Sequence, residues 1–472
     1  MVTSVKTRAR VVTDNTGFEL ELPVLVSKDG VLEPLLDYLL VNQHNRSNSW
    51  CERVVHGAYL LMQYIEANQS CFSSPKSLFE SFVRHLYSGT IDNDGYDPSG
   101  LYWLPASTQT VNGLINSLTG LTDYLADNIE NLKSMNPNRM ASRFEERLNY
   151  AAWYRRNQED FLGHIKDKSI SSTSLRARNI MGKRLLVVSS HTATQFPENI
   201  FKDFFVNGIG ANKDPRSAIR NQLILLMLHF TGCRESEALH LWINDVLIDP
   251  LNSESVSIRI YHPEEGKAPD NWVGSQGQTH RAAYLRERYL ITPRNKILGT
   301  KKVGWKCRVM DHSDKYIQLY WFPTKAGVLF NKLWRMYIKY LAVTDRLHPY
   351  AFVSFSKKNI GAALTLNAFN DAYKRGLIRI GKAPSKEAGL TPHSHRHSMG
   401  RRLERAGVHP RIIQKVLHHV SIESQDIYTA PSLEDISQSL NKANSIIESE
   451  GIDNTTNQRQ SDWDELMKVY AD

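Results

Sequence analysis

The stretch from Thr391 to Tyr428 constrains the fold more than any other part of the chain, because it encodes three short helices in close succession. Thr391 is a good N-cap and Pro392 a good first helical residue. His393 and Arg396 stand three apart, so they share a helix face near its N-terminus. Gly407 ends that helix. Pro410 opens the next, with Ile412, Ile413, Val416 and Leu417 as its expected buried stripe, and His418 and His419 at its end. Ser421 caps a further turn or two that carries Tyr428.

The stretch is strongly basic. From His393 to Lys415 there are six Arg or Lys and one Glu, a net charge of +5. A basic helix beside a Tyr hydroxyl suggests a phosphate site with a nucleophile. A phosphodiester is shielded by its own negative charge. Attack by a hydroxyl requires that charge to be neutralised and the leaving oxygen to be protonated. Arg suits the first task, since its planar fork binds two oxygens and keeps its proton. Two Arg from different parts of the chain can clamp both non-bridging oxygens. Arg396 is one, and the other should lie far upstream at a helix start. The run Thr231-Gly232-Cys233-Arg234-Glu235-Ser236-Glu237-Ala238-Leu239 supplies it: Gly232 ends one helix and Arg234 follows the turn.

His393-x-x-Arg396, then Leu417-x-His419, then Tyr428 nine residues on, resembles the C-terminal active site of the tyrosine recombinases, the phage-integrase family. The upstream run is similar to that family's first arginine box, with Leu241 and Asp245 also in register. The resemblance covers about 185–435. It implies a mainly α fold with a small β-sheet, in which a helical core-binding domain precedes an α+β catalytic domain. It implies a site-specific recombinase or integrase that cuts and rejoins DNA through a 3′-phosphotyrosine, with no cofactor, metal or ATP. Tyr428 matches the nucleophile, Arg234 and Arg396 the phosphate clamp, His393 the general base, and His419 the residue that hydrogen-bonds the phosphate. Tyr has an ordinary pKa of about 10, so cations and a base must favour its phenolate. Ser236 and Glu237 match structural supports.

Two features depart from the family pattern. The family has Gly before the last His, whereas this chain has His418, and His418 is the alternative phosphate contact. Arg234 and His393 are 159 residues apart, and the extra length falls mostly in 262–315, where the family has a tight hairpin bearing a general-acid Lys. Lys306 is the first choice for that acid. Lys301, Lys302, Lys267 and Lys315 are the alternatives. His393 and His397 have the i, i+4 spacing of zinc helices, but no Glu follows His393 and Arg396 intervenes.

The net charge of +9 favours a polyanionic partner. Residues 446–472 carry seven acids and two bases, so the remainder is more basic still. Cys51, Cys71, Cys233 and Cys307 form no CxxC pair, which suits free thiols in a reducing compartment. No secretory signal and no membrane-length apolar run is evident in the sequence.

The expected organisation is an extension at 1–28 containing a strand, then a helical DNA-binding domain at 29–165. Its predicted helices are Val31–Leu40, Ser49–Ala67, Ser74–Tyr87, Thr108–Ile129 and Ser142–Ile165. A basic linker follows at 166–184, then the catalytic domain at 185–445 and an acidic tail at 446–472. In the catalytic domain the predicted helices are Ser217–Thr231, Lys325–Leu341 and Leu366–Leu377, with strands at Val256–Tyr261 and Tyr316–Phe322. The resemblance implies double-stranded DNA as partner, four protomers on two sites, accessory proteins of a mobile element, no membrane, and a bacterial cytoplasm. The tail residues Trp463, Leu466, Met467 and Tyr470 are candidates for docking on a neighbouring protomer. Two other activities fit the same residues: relaxation of the type IB topoisomerase kind, and a DNA-binding accessory protein that does not cleave.

Overall fold

The computed structural model describes residues 4–16, 19–44, 46–157, 175–185, 194–269, 272–297 and 299–419. Tyr428, the tail at 446–472 and residues 166–174 of the expected linker lie outside the described residues. The chain divides into two compact units, Met1–Val187 and Val188–Asp472.

In the first unit, β1 (Val5–Val12), β2 (Glu19–Ser27) and β3 (Gly30–Val31) form an antiparallel sheet in that order. The predicted N-terminal strand is β2. It is buried continuously from Leu22 to Leu25, and Leu22 and Leu25 join the core that the helices also use, so residues 1–28 are not an appendage and the helical domain carries a sheet. The helices are α1 (Glu33–Asn42), α2 (Asn48–Asn68), α3 (Pro75–Ser88) and α4 (Thr108–Asn128). Their stripes follow the sequence: Val54, Ala58 and Leu61 on α2, and Val111, Leu114, Ile115 and Leu118 on α4, are buried. Ser74 and Ser107 cap α3 and α4, accepting from the backbone N–H groups of Ser77 and Thr110.

β4 (Asn138–Met140) precedes α5 (Arg143–Asn157) and pairs with β5 (Arg176–Arg178). β5 lies within the stretch read as a linker. From Arg176 to Lys183 that stretch is instead tied into the first unit. Asn136, fully buried, bonds both backbone groups of Ile180, at 2.8 and 2.9 Å. Arg178 pairs with Asp123, and the Lys183 N–H donates to the Tyr87 hydroxyl at 3.1 Å.

In the second unit, α6 (Phe201–Asp203) runs into a π-helical turn at Phe204–Ile209. α7 (Pro215–Thr231) is the central helix, and every residue from Leu223 to Leu228 is buried. α8 (Glu235–Ala238) follows a sharp turn, and β6 (Val246–Asp249) and β7 (Asn252–Tyr261) form a hairpin. The mixed segment at 262–315 holds α9 (Arg281–Tyr289), a helix that its weak apolar pattern did not announce. α9 is docked by Arg281, its first residue, and by Leu285, buried with Trp242 and Tyr350. The buried Arg281 guanidinium bonds Asp245 at 2.9 Å and lies between the rings of Trp242 and Tyr261, 3.9 and 4.1 Å from their centroids. β8 (Tyr316–Leu319) then pairs antiparallel with β7, three residues shorter than predicted. α10 (Lys325–Ala342) covers β7 and α7. α11 (Leu366–Arg379) packs on the π-helical turn, α12 (Pro392–Arg405) on α7, and α13 (Pro410–Val416) on α12. Of the stripe expected on α13, Ile413 and Leu417 are buried and Ile412 is exposed.

Candidate active site

Gly232 sets the geometry. It closes α7 at φ 69°, a left-handed conformation that costs Gly little. A β-carbon there would lie 2.7 Å from Leu417 Cδ2 and 3.0 Å from Met399 Cγ. The bare backbone therefore lets α12 and the end of α13 close against the turn. Arg396, buried, uses that approach: its Nη1 donates to the Gly232 carbonyl at 2.7 Å, and its Nη2 donates to the Leu417 carbonyl. One guanidinium thus joins the segment leading to Arg234 with the segment leading to His419.

Arg234 is the N-cap of α8. The Glu237 carboxylate accepts from its backbone N–H at 2.8 Å and from its Nη1 at 2.5 Å. Glu237 is fully buried. Burial raises its pKa, but Arg234 and Arg396 outweigh that, and it stays below the usual carboxylate range. Burial pulls the Arg234 pKa down. Glu237, and less strongly the Cys307 thiol, more than restore it.

His393 opens α12 with its ring exposed, and stacks edge-on with His397 at 4.6 Å between centroids. Partial desolvation and the charges of Arg396, Arg234, Lys306 and Lys386 lower its pKa. His419 is buried. Desolvation, then Arg396, Arg234, His418 and His397, push it down to about 3. His397 falls to about 4 from burial, His393 and Arg396. The structure thus brings Arg234, Arg396 and Lys306 within electrostatic reach of His393, and Arg234 and Arg396 within reach of His419. Glu237 is the carboxylate that acts on both arginines, so the cluster is net positive and suited to an anion. Tyr428 lies outside the described residues.

The five lysines diverge. Lys306 is exposed on the loop before β8, and its charge reaches His393. Lys267 pairs with Asp314 at 3.9 Å and Lys315 with Glu265 at 2.6 Å. Lys301 lines a cavity of about 1110 Å³ with Arg216, Arg294 and Arg375, and none of Arg234, His393, Arg396 or His419 lines it. Lys302 is half-buried beside Lys301. The two adjacent histidines also diverge. His418 turns away at φ 51°, and its Nε2 donates to Asp311 Oδ2 at 2.9 Å. His395 points into the core, sharing hydrogen bonds with His229 at 2.8 Å and the Tyr373 hydroxyl at 2.9 Å. The alternating histidines of α12 therefore split between site and core. Among the described residues no three His, Cys, Asp or Glu side chains are grouped as metal ligands would be. Asp311 escaped the sequence reading because its partner is 107 residues away and no local pattern marks it.

Residues 329–434 match the phage integrase family model. That match lies wholly within the second unit. Over 232 residues the chain is 31% identical to the tyrosine recombinase XerA of Pyrococcus furiosus. That alignment takes in 49% of this chain and 57% of XerA, so the chain spans little more than half the length of the relative it matches. Among solved structures, XerH on a palindromic difH substrate after cleavage superposes with a TM-score of 0.49 at 16% identity, over 88% of this chain and 84% of XerH. The Tn1549 transposon integrase with transposon right-end DNA gives 0.43 at 14% identity, over 87% and 98%. The phage integrase domain match begins inside α10, so it takes in His393, Arg396, His419 and Tyr428 but neither Arg234 nor Lys306. Among the described residues no helix is long and apolar enough to cross a membrane.

Proposed function

We propose that the chain is a site-specific DNA recombinase of the integrase kind. The observation that carries this reading is the Arg396 bridge. It ties the turn leading to Arg234 to the segment leading to His419, whose pKa burial and the two arginines push down to about 3. Arg234 and Arg396 hold the non-bridging oxygens of a scissile phosphate. His393, its pKa lowered by partial desolvation and then by the surrounding cations, accepts the Tyr428 proton. The Tyr428 oxygen bonds to phosphorus, the bond from phosphorus to the 5′-oxygen breaks, and Lys306 protonates that oxygen as it leaves. His419 donates a hydrogen bond to the phosphate. Rejoining is the same path reversed by an incoming 5′-hydroxyl, so the phosphotyrosine conserves the bond energy and neither ATP nor a metal is needed. The resemblance extends this reading to four protomers on two paired sites.

The test is covalent capture. Nicked duplexes with randomised arms are incubated with wild type, Tyr428→Phe and Arg234→Ala, and adducts are separated on a denaturing gel. An adduct from wild type that both variants lose supports the reading, and sequencing the captured DNA gives the site. Salt-sensitive binding with no adduct would replace it with an accessory DNA-binding role. Relaxation of any supercoiled plasmid would favour topoisomerase-like action.

A further inference from the structure

We propose that the His418–Asp311 pair is a positioning latch, which holds the loop bearing Lys306 against the segment bearing His419. The proposal rests on Lys306 acting as the general acid.

Three observations carry it. First, both side chains are largely shielded, 2% and 8% exposed, and their bond of 2.9 Å spans two segments far apart in the chain. Second, His418 holds a left-handed backbone that glycine would adopt more easily, so its imidazole compensates for a conformation its side chain disfavours. Third, Asp311 is itself fixed. Its N–H donates to the Tyr316 carbonyl at 2.9 Å, and its Oδ2 also accepts from the Gln318 N–H at 2.8 Å.

The loop from Val303 to Asp311 is therefore pinned at both ends. At Val303, the N–H donates to the Arg294 carbonyl at 2.9 Å and the carbonyl accepts from His240 Nε2 at 3.0 Å. At Asp311, the bonds to Tyr316 and Gln318 hold the loop to β8, and His418 ties that end to the segment bearing His419. Lys306 lies between the pins on a stretch with no regular structure. Losing the His418 bond leaves the loop end on β8 but unties it from the segment bearing His419, so Lys306 can shift relative to the phosphate. The same bond holds His418 at the junction between α13 and His419, whose N–H donates to the Gln414 carbonyl at 3.0 Å. One hydrogen-bonded pair thus sets the spacing between the group that protonates the leaving oxygen and the group that binds the phosphate.

The experiment compares strand cleavage on two nicked duplexes carrying a site obtained by covalent capture. One has the natural oxygen at the bridging 5′ position, and the other has sulfur there. A sulfur leaving group departs as a thiolate without a proton, so it bypasses the general acid. His418→Gly keeps the backbone conformation and removes the latch, and Asp311→Ala removes it from the other side. Each is expected to slow cleavage of the oxygen duplex by about 10- to 100-fold, the scale of a small misplacement of a catalytic group. The double variant should be no slower than the slower single, and Asp311→Asn, which keeps the bonding atoms, should retain more activity than Asp311→Ala. On the sulfur duplex both latch variants, and Lys306→Ala, should approach wild type. If Lys306→Ala recovers on sulfur and His418→Gly does not, the latch is overturned and the acid assignment stands. If Lys306→Ala stays slow on sulfur, the acid assignment falls and takes the latch with it. Unchanged oxygen-duplex cleavage by His418→Gly also overturns the latch.

Discussion

Substituting Ala for Gly232 tests whether the close approach at the end of α7 holds the site together. Two costs apply. The backbone at φ 69° is left-handed, which costs an L-residue about 1–2 kcal/mol. The new β-carbon would stand 2.7 Å from Leu417 Cδ2 and 3.0 Å from Met399 Cγ, and overpacking of this kind costs about 1–3 kcal/mol. Together they come to about 2–5 kcal/mol. Gly381 supplies an internal control in the same unit. Its φ is also 69°, but nothing lies within 4 Å of its would-be β-carbon, so Gly381→Ala pays about 1–2 kcal/mol. Urea unfolding followed by tryptophan fluorescence compares the two variants with wild type. The transition of the second unit should shift more for Gly232→Ala than for Gly381→Ala. Relief of the clash also moves Leu417, whose carbonyl holds Arg396, so covalent capture should fall more steeply for Gly232→Ala than stability does. Equal shifts for the two variants would refute the packing argument and leave only the backbone cost.

The buried histidines give the second unit an acid limit. Burial holds His229 and His395 well below their ordinary pKa and His240 at about 3, so the native state refuses protons that the unfolded chain accepts below about pH 6.5. Stability is therefore fully present above that pH and falls as pH drops toward the native values, by up to about 1.4 kcal/mol per pH unit for each histidine. A urea midpoint unchanged between pH 7 and pH 5 would contradict this. In the first unit, Asn136→Ala strips both backbone groups of Ile180 of their partner, at about 1–3 kcal/mol for each orphaned group. Trypsin should then cut after Arg176 and Arg178 sooner than in wild type, and an unchanged digestion pattern would show that β5 is held by other contacts.

What could be read from the sequence was local. The stripes of α2 and α4, the serine caps, the end of α7 at Gly232 and the start of α12 at Pro392 are each settled within a few residues. Thr391 marks the start of α12, but its hydroxyl bonds the Ser394 hydroxyl and makes no cap bond to the backbone. The arginine box and the His-x-x-Arg run were visible because their spacing is itself the motif. What escaped depends on distant partners. The strand at 176–178 reads as a basic linker, because its partner strand β4 is distant in sequence and the Asn136 amide that pins Ile180 just beyond it is 44 residues away. α9 has too weak a pattern to be seen, since it buries only Arg281 and Leu285. His395 is indistinguishable in sequence from His393 and His397, and only the packing of α12 on α7 sends it inward.

The Arg396 bridge also has a consequence in time. Its two carbonyl partners stand 164 residues before it and 21 after it in the chain. A ribosome delivers Gly232 early, Arg396 much later, and Leu417 last. Until Leu417 emerges, the guanidinium lacks its second anchor and the segment leading to His419 does not yet exist. A nascent chain can thus complete its first unit and most of the second core while its cluster of cations remains unassembled. Whatever this cluster does to a phosphate, it does only once synthesis has passed the end of α13.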